Sequence, residues 1–201
     1  MPFTLPSTPG FSALNLSSNN ATQTSRTVNG RVISRSNDTQ FWSFTASYPA
    51  MTRAQAGPLM AFIVSLKGQF NSFTAVLPEY STTAGALTGQ AVTTTQNEAV
   101  GATEIEVTCA SVTTQTGALK AGDLIKFDNH NKVYMIISDV DIASNLATMT
   151  IEPGLIVATD SGATVDYIDV QMTCRLSNDI QEFTTSTNNL LRYELDVVED
   201  L

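Results

Sequence analysis

Between residues 40 and 48 the side chains alternate: Trp42, Phe44, Ala46 and Tyr48 fall on one side of an extended chain, and Ser43, Thr45 and Ser47 on the other. A period of two marks a half-buried strand, because successive side chains leave a pleated backbone on opposite faces. The period then changes. Leu59, Phe62, Ile63 and Leu66 stand at i, i+3, i+4 and i+7, Thr52 precedes Gln55 at capping-box spacing, and Gly68 stands where a helix would stop. The spacing predicts one principal helix near residues 53–66. Gly57 and Pro58 force it either to kink or to begin there, since a proline beyond the first turn lacks a donor and crowds the preceding turn. Phe73, Ala75 and Leu77 alternate again, so strand, helix and strand form one unit whose helix stripe is expected to cover Trp42 and Phe44.

On either side the pattern weakens. Met1 to Asn37 is rich in Pro, Ser, Asn and Thr and reads as an extended arm, anchored by Phe3, Leu5, Phe11, Leu14 and Leu16. Thr82 to Gln96 reads as a linker or an exposed strand pair, and a second domain is expected from about Val100. Within it Ile105 and Val107 alternate with glutamates, and two short apolar runs, Leu124–Phe127 and Lys132–Ile137, flank the turn Asp128-Asn129-His130-Asn131. Leu146–Ile151 precedes Pro153-Gly154, and Val165–Val170 with Met172–Leu176 would complete a small barrel or sandwich. Leu190 to Val198 reads as a closing strand returning to the first sheet. The predicted class is mainly β: a sandwich or barrel with one principal helix, plus a second small β-barrel-like domain. The predicted domains are an extended arm at 1–37, a strand-helix-strand domain at 38–99 with 176–201, and the small β domain at 100–175.

Composition agrees with strands, since Ser and Thr together outnumber the charged residues and Thr suits pleated surfaces. At 201 residues and 42 % hydrophobic content, the chain can build a core without staples. No apolar run approaches the ~20 residues of a membrane span, and Met1–Gly10 lacks a secretion signal, so no membrane insertion is expected and the chain is expected to be made in the cytosol. A net charge of −9 argues against nucleic acid as a partner, because no basic excess exists to displace counterions from phosphates. The charge is also unevenly placed. Residues 1–78 carry Arg26, Arg31, Arg35, Arg53 and Lys67 against Asp38 alone, and every other acid lies between Glu79 and Asp200. The simpler reading is a solvated acidic surface; the sharper one is complementary faces between copies, with Arg26, Arg31 and Arg35 as the expected assembly interface.

Candidate chemistry is sparse. His130 is the only histidine and falls in a predicted turn, where a polar residue serves the backbone. Asp139 with Asp141, or Asp166 with Asp169, offer oxygen ligands for Ca²⁺ but lie outside any EF-hand spacing, so a solvated face is the stronger reading. Cys109 and Cys174 are expected to stay reduced in strands, and with one histidine they do not make a zinc set. Phe41, Trp42, Phe44 and Tyr48 resemble a stacking platform for sugars or bases, but alternation sends three of them inward as core. The sequons at Asn15, Asn20 and Asn37 match by chance. No catalytic residue, cofactor or metal is predicted.

The run Ser34-Arg35 to Gln40-Phe41-Trp42-Ser43-Phe44, with Tyr48-Pro49, Thr52-Arg53, Leu66-Lys67-Gly68-Gln69, Phe73 and Leu77-Pro78, resembles tail-associated structural proteins of tailed bacteriophages. Ala121-Gly122-Asp123-Leu124-Ile125, Lys132-Val133-Tyr134-Met135 and Thr150 to Leu155 are similar to a segment that recurs in such proteins. The resemblance spans residues 34–175, and its nearest role is that of a distal tail or baseplate ring protein linking the tail tube to the host-recognition apparatus. It implies a virion location and, as partners, copies of the same chain in a hexameric ring, the tail tube, and other baseplate or tail-fibre proteins. A head-decoration or head-to-tail connector protein is the alternative, and a tail-borne hydrolase a disfavoured third.

Overall fold

The computed structural model describes residues 3–186 and 188–201; the side chains of residues 37 and 38, and with them the Asp38 carboxylate, lie outside that description. The strands and helix run in chain order as β1 (Phe3–Thr4), β2 (Ala13–Arg26), β3 (Val32–Ser47), α1 (Arg53–Ser65), β4 (Phe73–Val76), β5 (Thr93–Thr94), β6 (Glu104–Thr108), β7 (Thr114–Leu119), β8 (Leu124–Phe127), β9 (Val133–Ile136), β10 (Val140–Ala143), β11 (Leu146–Glu152), β12 (Val165–Asp166), β13 (Gln171–Leu176), β14 (Thr184–Thr185), β15 (Leu191–Arg192) and β16 (Glu194–Glu199). The protein is mainly β, as the alternation predicts. It divides into two compact units, Met1–Ala75 with Thr173–Leu201, and Val76–Met172.

The first unit is built on a six-stranded sheet of order β1-β4-β13-β16-β3-β2. β3 buries Trp42, Phe44 and Ala46, and Tyr48 just beyond it, while Phe41 faces outward, so these aromatics are core and not a stacking platform. Helix α1 starts at Arg53 and runs through Pro58. Its first turn is held by Gln55, whose Oε1 accepts from the Thr52 backbone N–H and hydroxyl at 3.0 Å each. Beyond its end Lys67 and Gly68 both take left-handed φ, 57° and 65°. Only glycine fits the second position, since a Cβ there would lie 2.5 Å from Asp179 Oδ1. The helix buries Ala56, Leu59 and Ile63, with Leu66 just after it. Phe62 sits at the edge of the stripe, its ring edge-on to Phe73 with centroids 5.5 Å apart. Leu59→Ala should therefore cost about 3 kcal/mol by leaving a cavity, and Phe62→Ala clearly less; paired urea melts measure the difference.

The second unit is a nearly closed β-barrel. Strands β12, β8, β9 and β11 follow one another, β6 continues from β11, and β5 pairs with β6. A bridge between Thr93 and Thr164 brings β5 back to the chain entering β12. Its core holds Ile105, Ile125, Phe127, Tyr134, Ile136 and Met149.

Several boundaries differ from the expected ones. Residues 82–96 belong to the barrel unit, where Leu87 and Val92 are buried; isolated apolar residues in a Thr/Gly/Gln stretch carry no period to reveal them. Met172–Leu176 does not complete the barrel. It lies in β13, which pairs with β16 at Cys174↔Glu199, Arg175↔Val198 and Leu176↔Val197, because alternation identifies a strand but not its partner. The closing strand does return to the first sheet, as β16 against β3. The predicted arm is also corrected, since Ala13–Arg26 is a full strand of that sheet.

Cys109 and Cys174 are both buried and unbridged. Burial, with the nearby Glu199 and Asp200 carboxylates, pushes the Cys174 thiol far above its ordinary range. A thiol reagent should thus label neither cysteine in the native protein and both on unfolding, as titration with a chromogenic disulfide measures.

Candidate assembly interface

β2 and β3 form a hairpin whose strands pair from Ala13↔Ser47 to Arg26↔Val32, with a register shift between Asn20 and Thr22. The turn is set by Asn29-Gly30, a pairing suited to tight hairpins. Gly30 N donates to Thr27 O at 2.9 Å with φ at 79°. The Thr27 hydroxyl accepts from Arg31 N and donates to Arg31 O, both at 3.1 Å. From Gln40 to Ser47, β3 is anchored by the core beneath it. From Ala21 through Ser36 every residue is exposed.

That distal stretch carries Arg26, Arg31 and Arg35, so the structure brings the three predicted interface residues to one hairpin end. It also exposes Val28, Val32 and Ile33. The pairing Ser25↔Ile33 and Gln23↔Arg35 puts Ile33 and Arg35 on one face of the ribbon, and Arg26↔Val32 lies on the other. A two-stranded ribbon standing alone is marginal in water. Apolar and cationic side chains on both faces are what a buried contact would use.

The sheet also gathers acids. β16 pairs with β3 at Glu194↔Ser47 and Asp196↔Thr45, and alternation points both carboxylates outward while Leu195 and Val197 are buried. Asp196 Oδ1 accepts from the Thr45 hydroxyl at 2.6 Å. With Glu182, Ile180 and Tyr48 they line an open groove of about 710 Å³, in which Arg192 is the one basic residue. The division between a basic first part and an acidic remainder is thus not a division between bodies. The acids from Asp179 to Asp200 fold back onto the unit that holds the arginines.

His130, Asp139 and Asp141 are engaged structurally. His130 Nδ1 is 2.6 Å from Asn129 Oδ1, and its Nε2 is 2.7 Å from Tyr134 Oη; the ring stacks on Phe127. Tyr134 Oη also accepts from Ile156 N at 3.1 Å. Burial, then Lys126, lowers the imidazole's pKa, with Asp128 opposing. A histidine that holds its proton less tightly when folded gives full stability above its unfolded pKa of about 6.5 and loses it as pH falls through the lower folded value. The melting temperature should therefore drop on acidification from about pH 7.5 to 5.5, and that drop should shrink in His130→Gln, as parallel thermal scans would reveal. Asp139 is held by Lys120 Nζ at 2.6 Å and Ala121 N at 3.2 Å, and its carboxyl is held below its usual range by Lys120. Asp141 Oδ1 takes Gly117 N at 2.6 Å. Neither aspartate stands as a free ligand. Among the described residues no group of three or more His, Cys, Asp or Glu side chains is placed to hold a metal ion, and no helix is long and apolar enough to cross a membrane.

Comparison with known proteins decides the family. Residues 1–80 match the family model "Distal tail protein pb9, A domain, N-terminal", and residues 84–166 match "Distal tail protein pb9, B domain". The chain is 25 % identical over 190 residues to distal tail protein pb9 of Escherichia phage T5, covering 94 % of this chain and 91 % of that one. The chain belongs to the distal tail protein pb9 family. As a member of that family it is a structural, β-rich distal tail protein of a phage, and the tail-protein resemblance holds over the head-decoration and connector alternatives. In pb9 terms the A-domain match contains the hairpin, α1 and β4, while the B-domain match falls inside the barrel unit. The hairpin went unread in the sequence, although Asn29-Gly30 was the signal that could have found it.

Proposed function

We propose that this chain is a non-enzymatic ring subunit at the distal end of a phage tail, joined to copies of itself through the β2–β3 hairpin. The observation that carries this is the exposed ribbon from Ala21 to Ser36, with Arg26, Arg31 and Arg35 beside Val28, Val32 and Ile33, on a member of the distal tail protein family. Apolar side chains exposed on both faces of a narrow ribbon gain most by insertion against another surface. Arginine is suited to fixing such a contact, being planar, permanently charged and weakly hydrated. A six-fold ring, contacts with the tail tube and with baseplate or fibre proteins, and synthesis in the host cytoplasm complete the reading.

The non-enzymatic part rests on His130, whose two ring nitrogens are both within hydrogen-bond distance of neighbouring side chains. A serine or cysteine nucleophile would have no free imidazole to activate it. A particle reconstruction tests the whole: the expected result is a closed ring of this chain at the far end of the tail tube. Density for it in the head, or a single copy in the tail, would sink the proposal.

A further inference from the structure

The hairpin end and the acidic groove lie far apart on one strand. β3 carries Arg35 near its start and lines the groove with Ser47 at its end. Twelve residues at about 3.3 Å each hold the two roughly 40 Å apart. A hairpin cannot double back along its own strand to fill that groove, so if these surfaces meet, they meet between copies. Two different patches on one molecule, each complementary to the other, make a head-to-tail contact of the kind that closes into rings.

The groove fits the hairpin end in several respects. Glu182, Glu194 and Asp196 outnumber Arg192 in its lining, against three arginines at the hairpin end. Ile180 stands 80 % exposed on the groove, as unpartnered as Val28 and Ile33 are on the ribbon. The Tyr48 ring, only 4 % exposed, forms part of the groove wall.

We infer that the groove lined by Tyr48, Ile180, Glu182, Glu194 and Asp196 is the receptor for the β2–β3 hairpin end of a second copy of this chain, with Arg26, Arg31 and Arg35 meeting the three carboxylates. This rests on the reading of the hairpin as the joint and adds where it docks.

Charge exchange in the full-length protein tests it. Arg26→Glu with Arg31→Glu and Arg35→Glu, and separately Glu182→Lys with Glu194→Lys and Asp196→Lys, should each weaken self-association roughly tenfold or more at low salt, read by sedimentation velocity. The two sets combined should restore it. Circular dichroism checks that each variant is folded. As a second measurement independent of charge, Val28→Cys with Ile180→Cys should give intermolecular disulfides on mild oxidation and neither single variant should, the native cysteines being buried. If the arginine set weakens association but the lysine set does not, the hairpin docks elsewhere and the receptor assignment is overturned while the joint stands. If neither set has an effect, or the wild-type chain does not self-associate at high concentration and low salt, both ideas fail. Failure of the combined set to restore association, together with absence of the disulfide, leaves the groove to another occupant such as an oligosaccharide and overturns the inference.

Discussion

Asp123→Ala is expected to destabilise the barrel unit by about 3 kcal/mol. Asp123 is nearly buried, and both of its oxygens are used. Oδ1 accepts from Ala84 N at 2.8 Å. Oδ2 accepts from Lys120 N at 2.8 Å and from the Thr83 hydroxyl. One carboxylate therefore ties the loop after residue 82 to the turn that leads into β8. That loop leans on the tie. Gly85 passes so close to Ala118 that a Cβ would lie 2.3 Å from its carbonyl oxygen, and Leu87, bonded through its N–H to Ala118 O at 3.0 Å, inserts into the core. Alanine would leave two backbone donors and a hydroxyl, all part-buried, without their acceptor. Asn would keep one acceptor but turn an amide N–H₂ toward backbone N–H groups, so Asp123→Asn should lose nearly as much. Denaturant melts followed by tyrosine near-UV dichroism, with hydrogen exchange on β8 and β9, give the measure. A loss under about 1 kcal/mol would mean that the buried Leu87 and the backbone bonds to Gly117 and Ala118 hold the loop without the carboxylate.

The same residue illustrates what was legible. Ala121-Gly122-Asp123 stood out by resemblance, but its reach to Thr83 and Ala84, about forty positions earlier in the chain, could not be read from a pattern local in sequence. Alternation did identify β3, β4, β6 and β16 because each has one dry face, and the 3.6 period with Thr52 and Gln55 identified α1. It failed where both faces of a strand meet water. In Ser18-Asn19-Asn20-Ala21-Thr22-Gln23-Thr24-Ser25 no apolar member breaks the polar run except Ala21, so the chain looks like an arm while folding as a strand. Pairing failed for a different reason, since Met172–Leu176 alternates equally well in either sheet. The candidate interface was half legible: Arg26, Arg31 and Arg35 stood out by charge, while the groove needed β16 laid beside β3, which brings Glu194 and Asp196 opposite Ser47 and Thr45.

Shortening the hairpin should abolish entry into rings and particles while leaving the subunit as stable as before. Asn20 and Gln40 are paired directly across the strands, so replacing residues 21–39 with Asn-Gly closes the ribbon with a two-residue turn at a register the sheet already has. Residues 21–36 and 39 are exposed and bury little in the isolated chain, and the Gln40 side chain keeps its 3.0 Å bond to the Ser18 hydroxyl. The unfolding free energy should accordingly stay within about 0.5 kcal/mol of the parent. Removing residues 1–37 is a poorer test. It would strip β1 and β2 from the sheet, uncover β3 as a new edge next to Trp42 and Phe44, and confound assembly with folding. The trimmed chain, supplied to a phage lacking its own copy, should yield heads and tubes without infectious particles, and purified it should sediment as a monomer. The arginine-to-glutamate variant should fall between the two, closer to the trimmed chain at low salt and closer to the parent at high salt, because screening removes the charge repulsion but leaves Val28, Val32 and Ile33 to bind. A trimmed chain that still assembles with unchanged stoichiometry would remove the hairpin from the joint and shift attention to the outer face of the sheet at its root.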